Sequence, residues 1–115
     1  MDYLYKVEIL RVVDGDTVDV NIDLGFDISL YKRVRLHGID APETRTRDKA
    51  EKIRGFKAKA RLEELLLEQD KEIYLYSIDK GKYGRCVGSL FYADFLHESI
   101  GDILIKEGHA SKYEK

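Results

Sequence analysis

Cysteine, proline and tryptophan are almost missing: the 115 residues hold one cysteine, Cys86, one proline, Pro42, and no tryptophan. A lone cysteine excludes an internal disulfide framework and a thiolate zinc cluster. Long apolar runs are missing too, since no stretch approaches the ~18–20 apolar residues of a membrane-spanning helix. The opening segment MDYLYKVEIL lacks the basic stretch and apolar run of an export signal. The expectation is a cytoplasmic protein that does not engage a membrane. Neither sign of charge prevails, with 20 basic against 22 acidic residues and a net charge of −2. That balance excludes a uniformly basic coat for nucleic acid, so any anionic partner must be gripped locally. Repeats, low-complexity tracts and linkers are absent, and 1–115 is expected to form one domain around a modest core.

What is present begins as β-structure. Residues 3–13 are rich in Tyr, Val, Ile and Leu, Asp14 and Gly15 interrupt, and TVDVNIDL from Thr17 alternates strictly. Asp-Gly between two such runs is a hairpin signal, because a type I′ turn needs positive φ at both central residues. Val18, Val20, Ile22 and Leu24 are expected on the inner face, and Thr17, Asp19, Asn21 and Asp23 on the outer one. A turn at Gly25, Phe26 and Asp27 leads to a third strand, ISLYKRVRLHGI. It is expected to end near Asp40, where Pro42 stiffens an extended corner.

A charged loop follows, then a helix best defined over about 56–69, with Ala58, Leu62, Leu65 and Leu66 on one face. KEIYLYSI and CVGSLFYA are the next two strands, separated by a polar turn over 79–85. A last short helix is marked by Ser99, Asp102 three residues on, apolar Ile100, Ile103 and Leu104, and Gly108 past its end. Five short strands, with a helix between the third and fourth and another at the end, predict a small OB-type Greek-key barrel.

Three clusters are candidates for chemistry. Asp16 carries the inward parity of Val18, Val20 and Ile22, a costly place for a carboxylate unless a cation, a set of donors or water at the barrel mouth meets it. The plainer reading is that it only closes the turn. Arg35, Asp40 and Glu43 form the second cluster. Two carboxylates and an intervening main-chain carbonyl are hard oxygen ligands that suit Ca²⁺ or Mg²⁺. Arg35 has the paired donors that hold a phosphate, although a surface ion pair is the simpler account. The third cluster is Lys82, Tyr83, Gly84 and Arg85, in a turn that opens a strand.

Taken together, VDGDTV at 13–18, VRLHGIDAPE at 34–43 and KYGR at 82–85 resemble the staphylococcal nuclease-like (thermonuclease) family, in order and separation, over nearly the whole chain. The resemblance implies a five-stranded OB-fold barrel with a Ca²⁺-dependent phosphodiesterase site on its rim. It implies that Asp16, Asp40 and the main-chain carbonyl of Ala41 hold the metal. Glu43 is implied as general base or as the residue that orients the attacking water, and Arg35 and Arg85 as phosphate ligands. Lys82 and Tyr83 match positions lining the nucleotide pocket, and Asp14 and Thr17 match supports of Asp16. Tyr113 falls about one position from a pocket tyrosine of the pattern and is left outside the site. A third helix of the better-known relatives has no counterpart in the sequence.

The implied reaction is sequence-tolerant cleavage of DNA or RNA, with water attacking phosphorus, the 5′ oxygen leaving and 3′-phosphate ends remaining. Residues 44–61 add eight basic side chains against Asp48 and Glu51, an excess of six positive charges beside Glu43. Such a segment is suited to steering a phosphate backbone, or it is simply a solvated helix face. His37, His97 and His109 have no ligand spacing. The rival is a non-catalytic OB-fold module that binds single-stranded nucleic acid. Modules of that kind lack part of the acidic and arginine set, whereas this chain keeps Asp16, Asp40, Glu43, Arg35 and Arg85. A protein-interaction domain, the third class, leaves the two-carboxylate corner unexplained. A monomer is expected rather than a dimer.

Overall fold

The computed structural model describes residues 3–80 and 86–113. β1 (Tyr3–Asp14), β2 (Thr17–Asp23) and β3 (Ser29–Leu36) form an antiparallel meander. β4 (Ile39–Asp40) precedes α1 (Lys49–Leu67); β5 (Ile73–Lys80) and β6 (Cys86–Tyr92) precede α2 (Ile100–Lys106) and β7 (Ser111–Lys112). The barrel closes in the order β1-β2-β3-β6-β5, with β3 and β6 parallel and β5 returning to β1. This is the expected five-stranded OB-type barrel with its helices after the third and fifth barrel strands. β4 and β7 pair separately as a small two-stranded sheet.

Closure depends on bulges that pattern alone does not reveal. In β1, Ile9 faces Val20 and Arg11 faces Asp19, then Val12 faces Val18 and Asp14 faces Thr17, so Leu10 and Val13 are extra residues. Each insertion bends and twists the strand, which lets one 12-residue strand pair with β5 at one end and β2 along the rest. The parity change also puts Val7, Ile9 and Val12 on the core side and turns Leu10 and Arg11 outward.

The core is built from Val18, Val20, Ile22, Val34, Leu36, Leu75 and Leu90 of the barrel, capped by Leu62, Leu65 and Leu66 of α1 and by Ile100 and Leu104 of α2. Each such side chain, buried from an exposed state, contributes about 1.5–3 kcal/mol. Ala58, Leu62, Leu65 and Leu66 share the buried face of α1, as their spacing predicts. The Tyr92 hydroxyl donates to the Leu65 carbonyl at 2.7 Å and fastens β6 to that helix. α2 has the predicted ends: Ser99 accepts the N–H of Asp102, and Gly108, at φ 80°, follows the helix. There His109 N–H bonds the Leu104 carbonyl and Gly108 N–H the Ile105 carbonyl, a Schellman closure.

Local expectations are corrected at several points. The β1–β2 turn is Gly15-Asp16, between the paired Asp14 and Thr17, and neither turn residue has positive φ, so it is not the type I′ turn expected. Leu24 is exposed rather than inward, as is Leu30, because the hairpin extends past the core. Asp19 lies on the outer face as expected but is buried there, held by two bonds from Arg33 at 2.8 and 3.2 Å. The third strand stops at Leu36; Gly38 at φ 77° breaks it before β4. The helix begins at Lys49, well before the apolar stripe, because Asp48 caps it by accepting the N–H groups of Ala50 and Glu51. The turn at Gly25, Phe26 and Asp27 is present, with all three residues at positive φ and Phe26 98% exposed.

Candidate active site

The site gathers where the β1–β2 turn meets the corner between β4 and α1. Gly15 permits the approach: a Cβ there would lie 2.7 Å from the Ala58 Cβ and 2.9 Å from the Ala41 Cβ. Asp16, next in the turn, is therefore carried inward against the corner, its side chain only 13% exposed. Its Oδ1 accepts the Thr17 hydroxyl at 3.0 Å, and its Oδ2 accepts the Ala41 main-chain N–H at 3.0 Å. Arg35 Nη1 lies 3.4 Å from the same Oδ2. A buried carboxylate with two donors and a cation is a satisfied group, and the reading of Asp16 as a mere turn-closer is set aside.

Arg35 is the hub. Strand β3 delivers its guanidinium, 23% exposed, between the two acids. Nη1 donates to the Ile39 carbonyl at 2.9 Å and the Leu36 carbonyl at 3.3 Å, while Nη2 reaches Asp40 Oδ1 at 3.4 Å. The main-chain contacts fix the fork in orientation, and the carboxylates sit on its sides. Asp40, at the end of β4, keeps a side chain 65% exposed to solvent. β4 itself is held from the other end of the chain: Ile39 and Asp40 pair with Lys112 and Ser111, and Tyr113 N–H donates to the Gly38 carbonyl at 2.9 Å. Tyr113, left outside the site on spacing, is thus brought beside the corner.

Glu43 stands exposed on the far side of Pro42. Its main-chain N–H is taken by the Glu51 carboxylate at 3.2 Å, from the first turn of α1. Thr44, buried, donates to Asp14 Oδ1 at 2.6 Å and ties the segment after Glu43 back to the β1–β2 hairpin. Below it α1 passes so close that a Cβ on Gly55 would lie 2.4 Å from the Glu43 carbonyl oxygen and 2.9 Å from that of Pro42. Sequence reading missed Gly55, Glu51 and Thr44. The only available signal was a glycine inside a helical pattern, a mark of close backbone packing.

The structure thus brings together Asp16, Arg35, Asp40 and Ala41, with Glu43 at the end of the same corner. Lys82, Tyr83 and Arg85 lie outside the described residues. Among the described residues no three His, Cys, Asp or Glu side chains cluster as a metal cage. The donor set that is present, the Asp16 and Asp40 carboxylates on one guanidinium and the main-chain carbonyl of Ala41 directly after Asp40, consists of hard oxygens. It fits a hard divalent cation such as calcium and does not fit zinc. His37 and His97 are exposed and outside this cluster; His97 packs edge-on against Phe95 at 5.7 Å.

An OB-type barrel with an acid and arginine cluster on its rim defines a class of fold and site. Residues 33–115 match the family described as staphylococcal nuclease homologue, and the chain belongs to that family. The match includes Arg35, Asp40, Ala41 and Glu43; Asp16 precedes it. The chain is also 39% identical over 81 residues to a probable staphylococcal-like nuclease, CAN1, of Oryza sativa subsp. japonica. That stretch is 70% of this chain and 21% of the rice protein, so the chain spans about a fifth of that relative. Membership supports a nuclease function in general terms. No helix among the described residues is long and apolar enough to cross a membrane.

Proposed function

We propose that the chain is a calcium-dependent, sequence-tolerant nuclease that hydrolyses DNA or RNA phosphodiesters to 3′-phosphate ends. The observation that carries this reading is the Asp16–Arg35–Asp40 cluster, a guanidinium fixed by two main-chain carbonyls with a carboxylate on either side. Arg35 offers a phosphate the paired donors it prefers. Asp16, Asp40 and the Ala41 carbonyl would hold calcium, which when bound supplies positive charge for the phosphoryl oxygens. Glu43, solvent-exposed and carried on a corner braced by Gly55 and Glu51, orients the attacking water and takes up its proton. Water oxygen bonds to phosphorus as the bond to the 5′ oxygen breaks, and that oxygen leaves and takes a proton from solvent to become a 5′ hydroxyl. Arg35, together with Arg85, neutralises charge that builds on the phosphoryl group, and such stabilisation is typically the largest share of the rate.

Digestion of denatured DNA and of RNA with Ca²⁺, with Mg²⁺ and with a chelator tests the proposal. Cutting in calcium that the chelator abolishes is the expected result. Binding without cutting in every condition would instead favour the OB-fold binding module.

A further inference from the structure

α1 opens on Asp48-Lys49-Ala50-Glu51, an acid followed three residues later by glutamate, which is the pattern of a capping box. In a complete box the first side chain accepts N–H groups of the first turn, and the glutamate reaches back to the N–H of that first residue. Only the first half closes here. Asp48 Oδ1 accepts the N–H groups of Ala50 and Glu51 at 3.0 and 3.2 Å, but the Asp48 N–H is taken by the Thr46 hydroxyl at 3.2 Å. Glu51 turns the other way, and its Oε2 accepts the main-chain N–H of Glu43 at 3.2 Å.

The helix face decides what that bond holds. Glu51, Gly55 and Ala58 lie at i, i+4 and i+7 along one stripe of α1. Ala58 packs against Gly15 of the β1–β2 turn, and Gly55 against the main chain of Pro42 and Glu43, where a Cβ would lie 2.9 Å from the Pro42 oxygen. The Pro42–Glu43 peptide therefore runs along α1, with its N–H on Glu51 and its oxygen over Gly55 one turn further on. Thr44, next in the chain, is tied to Asp14. Both sides of residue 43 are fixed while its side chain stays exposed.

We propose that Glu51 is a positioning residue for Glu43, and that Thr46 makes it one by occupying the Asp48 N–H that Glu51 would otherwise bond. The catalytic part of this assignment rests on the nuclease reading, whereas the hydrogen bonds stand without it. A carboxylate springing from a fixed peptide keeps one direction, so a water that it orients keeps its line to phosphorus. Release of the peptide displaces that water and removes no group that holds metal or phosphate. Glu51 acts here through an acceptor oxygen, which is all that a main-chain N–H requires and which glutamine also has.

The test compares Glu51→Ala, Glu51→Gln, Thr46→Val and Thr46→Val/Glu51→Ala. kcat and KM are measured on single-stranded DNA in calcium, calcium affinity by calorimetry, and amide hydrogen exchange at Glu43 and Asp48 by NMR in chelator. In Glu51→Ala, kcat is expected to fall about tenfold with KM and calcium affinity within about twofold of the parent, and the Glu43 N–H to exchange at least about fivefold faster. Glu51→Gln should recover kcat to within about threefold of the parent. Thr46→Val removes the hydroxyl, so Glu51 returns to the Asp48 N–H; exchange stays slow at Asp48, speeds up at Glu43, and kcat falls at least about threefold. The double variant should fall no further than Glu51→Ala, because both changes release the same peptide. Unchanged Glu43 exchange in Glu51→Ala, or kcat within about twofold of the parent, would overturn the proposal. So would Glu51→Gln losing as much as Glu51→Ala. A double variant reduced by the product of the two single losses would overturn the part given to Thr46. A parent that cuts no DNA would remove the nuclease reading, and Glu43 exchange would still decide whether Glu51 holds the corner.

Discussion

The Asp16 carboxylate accepts the main-chain N–H of Ala41 at 3.0 Å. This one bond joins the tip of the first hairpin to the corner that holds Asp40 and Glu43, across 25 residues of sequence. It makes the position of the corner depend on the hairpin turn.

Asp16→Asn retains an oxygen for that N–H and loses the charge, whereas Asp16→Ala loses both. The asparagine variant is expected to stay within about 1 kcal/mol of the parent, and the alanine variant to lose about 1–3 kcal/mol because the buried Ala41 N–H is left without its partner. Urea unfolding measures both. Calcium titration by calorimetry should show affinity reduced at least tenfold in each, and an undiminished affinity would remove Asp16 from the metal site.

Gly55 sets the distance between α1 and the corner. Its Cβ would meet the main chain of Glu43 and Pro42, which has no flexible end to move aside. Gly55→Ala, normally favourable in a helix, is therefore expected to destabilise by about 1–3 kcal/mol through overpacking and to lower turnover by displacing Glu43. A variant as stable and active as the parent would show that the corner moves freely.

Arg35 serves through geometry as much as charge. Arg35→Lys keeps a cation but cannot satisfy two carbonyls and two carboxylates from one planar fork. Turnover is expected to fall about 10²–10³-fold in both Arg35→Lys and Arg35→Ala, on the scale of losing one donor to a developing oxyanion. Lysine restoring most of the activity in a steady-state assay would contradict this.

Asp19 carries a pH signature. The hydrogen bonds from Arg33 hold its carboxyl below the usual carboxylate value, with burial opposing. A lowered folded-state pKa means that the stabilisation is complete above the unfolded value near ~4 and drains away as pH falls through the lower folded value. Glu107, held low by its bonds from Arg61, adds to the same acid loss. Asp19→Asn should thus flatten the stability profile below about pH 4 without abolishing its slope. Identical acid unfolding of variant and parent would remove Asp19 from the account.

Much of the fold was readable because the strongest signals were local. The alternation of Val18, Val20 and Ile22, the helical spacing of Ala58 to Leu66, and the Ser99 and Gly108 ends of α2 each report on neighbours a few residues away. What escaped depends on partners distant in sequence. Leu10 and Val13 are ordinary strand residues until the barrel must close. Asp19 looks solvent-facing until Arg33 is laid across from it. The β4–β7 pair is two residues long and joins positions about 70 apart. The start of α1 was hidden because its first two turns are charged and carry no buried stripe, leaving Asp48 as the one cue. In the site, Arg35, Asp40 and Asp16 were legible as residue types, but the dependence of Glu43 on Gly55, Glu51 and Thr44 is a matter of packing and hydrogen bonds between segments that only the fold brings together.

The most direct measurement is hydrolysis of a single-stranded DNA in ¹⁸O-labelled water with calcium, with the ends of the products analysed by mass spectrometry. The account predicts one ¹⁸O atom in each new 3′-phosphate, none in the 5′ hydroxyl, and no product with a chelator or in Glu43→Ala. Label in a 5′-phosphate, or cutting that persists in Glu43→Ala at the parent's rate, would contradict it.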